Sequence, residues 1–252
     1  MKKCYFFTKK ELLESWRTKR VLLLVIIFLI FGLMNPLLAK LTPEIMKSAF
    51  GSTLVTIPEP TSLDSWTQFY KNITQMGIYL VAVLFSGSVS REVASGSLVN
   101  LVTKGLDRWQ IILSKYLVML VQWIGALLLC FSVTAGYTHY YFPDNQSPHI
   151  FAGFFPLLLF GCFFVAVILF GSTLAKSSYE GLLFTIIVTA LLYLLQLFDR
   201  FKAYNPISLI SENMAWLKGD TLSDFRGSMI LSVLFAGVLL SLSILVFNRK
   251  KL

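Results

Sequence analysis

Charge is the scarcest property of this 252-residue sequence: only 14% of its residues are Asp, Glu, Lys or Arg, and 56% are hydrophobic. Soluble domains carry about 25% charged residues, so an ordinary soluble enzyme, a disordered chain and a nucleic-acid-binding module are all excluded. Cysteine is nearly absent as well. Cys4, Cys130 and Cys162 are too scattered for a disulfide framework or a metal-ligand spacing. The dipeptide Gly-Lys does not occur, which removes the phosphate-binding P-loop and ATP hydrolysis by that route. The two histidines, His139 and His149, fall in one short connection near Asp144. Together they would offer only a weak metal site, and exposed surface side chains are the simpler reading.

What is present is apolar sequence in long runs, with a mean hydropathy of +0.72. Stretches free of Asp, Glu, Lys and Arg cover 21–39, 74–90, 116–138, 151–175, 181–198 and 227–247. They approach or reach the roughly 20 residues that a helix needs to cross about 30 Å of hydrocarbon. The first run follows basic residues, but it is longer than a signal-peptide core and no small-x-small cleavage site follows. It is read as a retained span. The sequence therefore predicts an all-α polytopic membrane protein: one transmembrane domain over 1–252 with six spans.

Lysine and arginine set the orientation. Seven precede the first span, four lie in 91–115, one in 176–180 and three in the tail, against seven in the alternate segments. By the positive-inside asymmetry, both termini are expected in the cytoplasm. Segments 40–73 and 199–226 become the main outer loops, the first punctuated by Pro43, Pro58 and Pro60 and the second by Asn205-Pro206. Two sequons, at Asn72 and Asn145, are given no weight because such tripeptides arise by chance.

The spans as drawn contain no ionisable residue. This argues against a proton- or cation-coupled carrier and against intramembrane hydrolysis, which needs a nucleophile–base pair or a metal site at depth. The mildly polar Asn35, Gln122, Ser132, Thr134, Ser172, Thr173, Thr185, Thr189 and Gln196 are read as interhelical packing rather than as a cargo path.

Two polar pieces carry more information. In 1–20, Tyr5, Leu12 and Trp16 recur at helical spacing beside Phe6 and Leu13, with Lys9, Lys10, Glu14 and Arg17 on the other side. That pattern predicts an amphipathic helix lying in the headgroup plane against membrane lipid. In 91–115, Val93, Leu98, Leu101 and Val102 form a short apolar face, and Thr103-Lys104-Gly105 reads as a helix stop. Asp107 then caps the helix entering the third span.

The run Arg91-Glu92, Gly96-Ser97-Leu98, Leu101-Val102-Thr103-Lys104-Gly105, Arg108-Trp109, Ile112 and Lys115 resembles the signature of ABC-2-type transporter permeases. Ser97 stands where that family carries Thr, and Gly105 where it carries Pro. Lys9-Lys10-Glu11-Leu12 with Trp16-Arg17 is similar to the family's N-terminal connecting helix, here represented by Tyr5, Leu12, Leu13, Trp16 and Arg17. The resemblance implies that 91–115 is a coupling hairpin docking on a separate cytosolic ATP-binding subunit. Its contacts would be Arg91, Glu92, Gly96, Leu98, Thr103, Lys104, Gly105, Asp107 and Arg108. It further implies a second permease copy, ATP and Mg bound only by the partner, and no cofactor on this chain. The expected role is a permease subunit of a cell-membrane exporter for a hydrophobic or amphipathic cargo such as a peptide or antibiotic. A stand-alone carrier or channel, and a membrane scaffold recruiting a cytosolic protein, are the alternatives.

Overall fold

Long apolar runs fold as helices in hydrocarbon because every backbone N–H and C=O must be satisfied within the segment. The computed structural model describes residues 2–50, 59–103, 105–144, 146–147, 150–213 and 225–250. Among them there is no strand, and six helices are long and apolar enough to cross a membrane. α1 (Lys2–Arg17) precedes α2 (Arg20–Phe50), and the chain turns between them at Lys19, whose φ is 60°. α3 (Ser62–Asn72) runs through a π-helical turn (Ile73–Gly77) into α4 (Ile78–Phe85). The short α5 (Ser90–Ala94) and α6 (Ser97–Thr103) lead to α7 (Arg108–Tyr141), α8 (Ile150–Leu174) and α9 (Ser178–Gln196). α10 (Asp199–Lys202), α11 (Ser208–Ser211) and α12 (Arg226–Arg249) complete the described helices.

Several helices extend well beyond the apolar runs that announce them. Of the segment 40–73, expected as an outer loop, residues up to Phe50 continue α2 and residues from Ser62 onward form α3. Loss of hydropathy marks where a chain leaves hydrocarbon, and it does not end a helix. α7 has 34 residues and at 1.5 Å per residue spans about 50 Å, so both of its ends stand clear of a hydrocarbon core.

Pro36 and Pro43 lie inside α2. Pro36 has no N–H for the carbonyl four residues earlier, which belongs to Gly32. That carbonyl instead accepts from Thr134 Oγ1 on α7, at 3.2 Å. Thr134 in turn accepts from Asn35 Nδ2 at 3.1 Å, and Asn35 Oδ1 accepts from Asn72 Nδ2 at 2.7 Å. Asn35 and Thr134 are fully buried. The amide of one sequon is thus a member of an interhelical network that repairs a proline break.

α8 is the central helix, with 72% of its most apolar window buried, against 28% for α2, 17% for α9 and 22% for α12. Those three helices turn broad apolar faces outward, as a lipid or subunit contact requires. Between α4 and α5, Val89 and Ser90 donate their backbone N–H groups to Ser172 Oγ of α8 at 3.0 and 3.2 Å. The turn is therefore capped by a side chain from another helix. At the far end of the bundle, Asp144 accepts from the backbone N–H of Ser62 at 2.7 Å. Asn205 donates to the carbonyl of Leu192 at 2.7 Å and accepts from the N–H of Ile207, which makes Asn205-Pro206 a structured turn. Asn145 and His149 lie outside the described residues.

Candidate functional site

The polar face of the bundle is assembled at one end by α1, α5, α6, the first turns of α7 and the end of α12. α5 and α6 meet at Gly96, whose φ is +68°, and α6 ends at Gly105, whose φ is +79°. The Gly105 N–H donates to the carbonyl of Val102 at 2.9 Å, and the Leu106 N–H to that of Leu101 at 3.2 Å. This pair of bonds is the Schellman closure, with Gly in the left-handed position. A proline cannot adopt that φ, so the glycine is a different solution to ending the same helix. Leu98 is fully buried, and Val93, Leu101, Val102 and Leu106 pack against the core. The apolar face therefore points into the bundle. Arg91, Val99, Thr103, Asp107 and Trp109 are exposed around it. Lys104 lies outside the described residues.

Within this end sits a buried ionic cluster that hydropathy does not reveal. Lys115 is 2% exposed, and its Nζ lies 2.9 Å from Glu11 Oε2 and also pairs with Glu92 Oε1. Glu11 Oε1 accepts from Lys10 at 3.1 Å, and Lys10 reaches Glu14 at 2.7 Å. The Phe7 ring covers the cluster, 6.0 Å from Lys115 Nζ and 5.2 Å from Lys10 Nζ. Three helices distant in sequence, α1, α5 and α7, are thereby tied through one ammonium group. The second carboxylate oxygen of Glu92 is buried with no hydrogen-bond partner. Glu14 loses solvation through partial burial, yet the bond and charge of Lys10 hold its carboxyl below the ordinary value of 4.5.

Two residues expected to contact the partner subunit are engaged within the chain. The Glu92 carboxylate faces inward to Lys115. Arg108 Nη1 donates to the carbonyls of Phe247, Asn248 and Lys250 at 2.9, 2.8 and 2.9 Å, so it caps the end of α12. Lys250 Nζ similarly donates to the carbonyls of Thr173 and Ala175, closing α8 at 2.7 and 2.9 Å. Cations at helix C-termini answer both the unpaired carbonyls and the helix dipole. α1 and the end of α12 thus both lie at the hairpin end of the bundle. Arg91 Nε donates to Ser178 Oγ at 2.6 Å, at the start of α9. Asp107 precedes α7, but its carboxylate accepts from the Gln110 side chain at 2.9 Å rather than from the backbone.

α1 has two apolar aspects instead of one. Tyr5, Leu12, Leu13 and Trp16 are exposed, with Arg17 beside them, while Phe7 and Glu11 are buried against the bundle. Glu11 was legible only as a matched letter in the resemblance. Its partner Lys115 stands at the edge of an apolar run, where sequence alone makes it a loop charge.

A family model described as "ABC-2 family transporter protein" matches residues 6–252. The chain belongs to the ABC-2 transporter family. The chain is also similar to the uncharacterized transmembrane protein YxlG of Bacillus subtilis (strain 168), at 26% identity over 99% of this chain and 98% of that protein. As an ABC-2 family member with six apolar helices, the chain is a multi-pass membrane protein and a transmembrane transporter subunit without an ATPase of its own. The hairpin in which the ABC-2 resemblance lies is the segment that the ionic cluster anchors.

Proposed function

We propose that this chain is the permease subunit of an ATP-driven exporter in the cell membrane, with the α5–α6 hairpin facing the cytoplasm. A separate ATP-binding subunit, carrying ATP and Mg, docks on the outward face of that hairpin, and two permease copies enclose the path. The observation that carries this reading is the Lys115–Glu11–Glu92 cluster. It makes α5 rigid with α7 and α1, so that a push on the hairpin moves the third span instead of flexing a loop. The excess of basic residues on the side of both termini supports the orientation. The exposed faces of α2, α9 and α12 supply surface for a second copy, and the apolar spans suit a hydrophobic or amphipathic cargo.

Docking falls to Arg91, Val99, Thr103, Asp107 and Trp109, because these remain exposed whereas Glu92 and Arg108 turn into the chain. A photo-crosslinking residue at position 99 or 103, activated in native membranes, is expected to capture a protein bearing a P-loop. Capture of a partner without a P-loop, or ATP-independent transport by the purified chain in liposomes, overturns the proposal.

A further inference from the structure

An apolar groove of about 410 Å³ opens between α1, the start of α2 and α7 and includes no hairpin residue in its lining. Its volume lies in the range of ligand clefts, about 300–1,000 Å³. Leu13 and Trp16 of α1 form one wall and Leu24 of α2 the floor, while Gln122 and Gly125 of α7 form the other side. Three features give it chemistry. Lys9 stands exposed on its margin. Gln122 is 7% exposed, and its amide Nε2 is buried with no hydrogen-bond partner. A Cβ added at Gly125 would meet nothing within 4 Å, so the glycine leaves open space where α7 would otherwise fill the groove.

These levels match the parts of one molecule. α1 lies where an amphipathic helix meets headgroups, and Gln122 stands two turns beyond Lys115 along α7, about 10 Å at 1.5 Å per residue. An anionic phosphate at Lys9, an acyl chain over Leu24 and Gly125, and an ester carbonyl met by the Gln122 amide once that side chain turns its buried nitrogen toward the groove satisfy all three features. An unpaired buried amide costs free energy that such an acceptor would recover. The geometry points to a structural phospholipid site with preference for an anionic headgroup, filled from the leaflet at the hairpin end and clamping α1 against α2 and α7.

Native mass spectrometry of the full-length chain, delipidated and titrated with phosphatidylglycerol or phosphatidylcholine of the same acyl composition, tests the site. One phospholipid is expected per protomer, with phosphatidylglycerol favoured about fivefold, the effect of one cation at an anionic surface. Gly125→Phe, which fills the groove, should weaken both lipids at least about tenfold. Lys9→Gln should abolish the preference while retaining binding, and Gln122→Leu should weaken both lipids without changing their order. An unchanged melting temperature in the delipidated state separates loss of the site from loss of fold, and Gly125→Val serves if the larger side chain is not tolerated. Lipid retention by both groove-filling variants, equal affinity for the two headgroups, or an intermolecular disulfide through Gly125→Cys each overturns the assignment, the last by making the groove a contact between two copies.

Discussion

Arg108 caps a helix far along the chain: its Nη1 lies 2.9 Å from the carbonyl oxygen of Phe247, 139 residues later. The same nitrogen reaches the carbonyls of Asn248 and Lys250, so the entry to α7 is fastened to the exit of α12. A guanidinium presents donors in a fixed fork, and lysine does not reproduce that geometry. Arg108→Ala is expected to destabilise the chain by about 1–3 kcal/mol and to expose its last turn to carboxypeptidase. Arg108→Lys should fall between the two. Thermal melting in detergent and C-terminal mass mapping read both effects. An unaltered tail in Arg108→Ala would show that the cap is dispensable.

Removing Lys115 leaves Glu92 unpaired in a site sealed by Phe7, while Glu11 keeps only its bond to Lys10. Lys115→Met is expected to cost about 3–5 kcal/mol, because breaking a buried pair leaves uncompensated charge. Lys115→Met combined with Glu11→Gln and Glu92→Gln should recover much of that loss, since an uncharged cluster has no ion to desolvate. Melting temperatures across the series decide it. If the triple variant is as unstable as the single one, charge balance is not what holds the cluster.

Acid should loosen α1 before it melts the bundle. Glu14 has a carboxyl pKa below its ordinary 4.5, since the bond and charge of Lys10 outweigh its partial burial. A depressed carboxyl pKa stabilises the folded state above the unfolded value, and that stability disappears as pH falls through the folded value. Lys10 is likewise lifted above its ordinary 10.5, its bond to Glu14 outweighing burial, so its contribution persists until pH exceeds that range. Protection of the amides in residues 5–17, relative to their intrinsic exchange at each pH, should therefore fall below about pH 4.5 and stay flat from there to about pH 10. Glu14→Gln should remove the acid step.

The network at Pro36 predicts a specific coupling. Thr134→Val removes the hydroxyl that satisfies the Gly32 carbonyl, at a cost of about 0.6–1.7 kcal/mol on the scale of interhelical bonds in membranes. Pro36→Ala restores an N–H for that carbonyl, so Thr134→Val should cost less in the Pro36→Ala background. A double-mutant cycle measures the difference, and strict additivity would dismiss the repair.

Gly105 answers for the end of α6. Its φ of +79° costs an L-residue about 1–2 kcal/mol, and proline would also lose the N–H given to Val102. Gly105→Ala should raise amide exchange in residues 97–106 modestly, and Gly105→Pro should raise it strongly. Equal exchange in both variants would show that α6 does not depend on this closure.

The hairpin illustrates how local and distant information divide. Gly105 is legible as a stop because a left-handed closure is a property of a few adjacent residues. The apolar spacing of Leu98, Leu101 and Val102 likewise tells which face is buried, because helical period is local. From sequence, Glu92 and Arg108 are docking charges, because the partners they take in the fold lie far along the chain. Glu92 finds Lys115 across 23 residues, Lys115 finds Glu11 across 104, and Arg108 finds Phe247 across 139.

By itself, the sequence determined the membrane class, the number of spans and the lack of a phosphate-binding loop. Hydropathy, length and motif are properties of contiguous residues, and a hydrocarbon solvent imposes helix on each apolar run separately. Where helices end beyond the hydrocarbon, how Thr134 repairs Pro36, and which charges turn inward were decided only by tertiary structure. An ion or a freed carbonyl in a low-dielectric interior must find its complement, and packing alone fixes which distant residue supplies it.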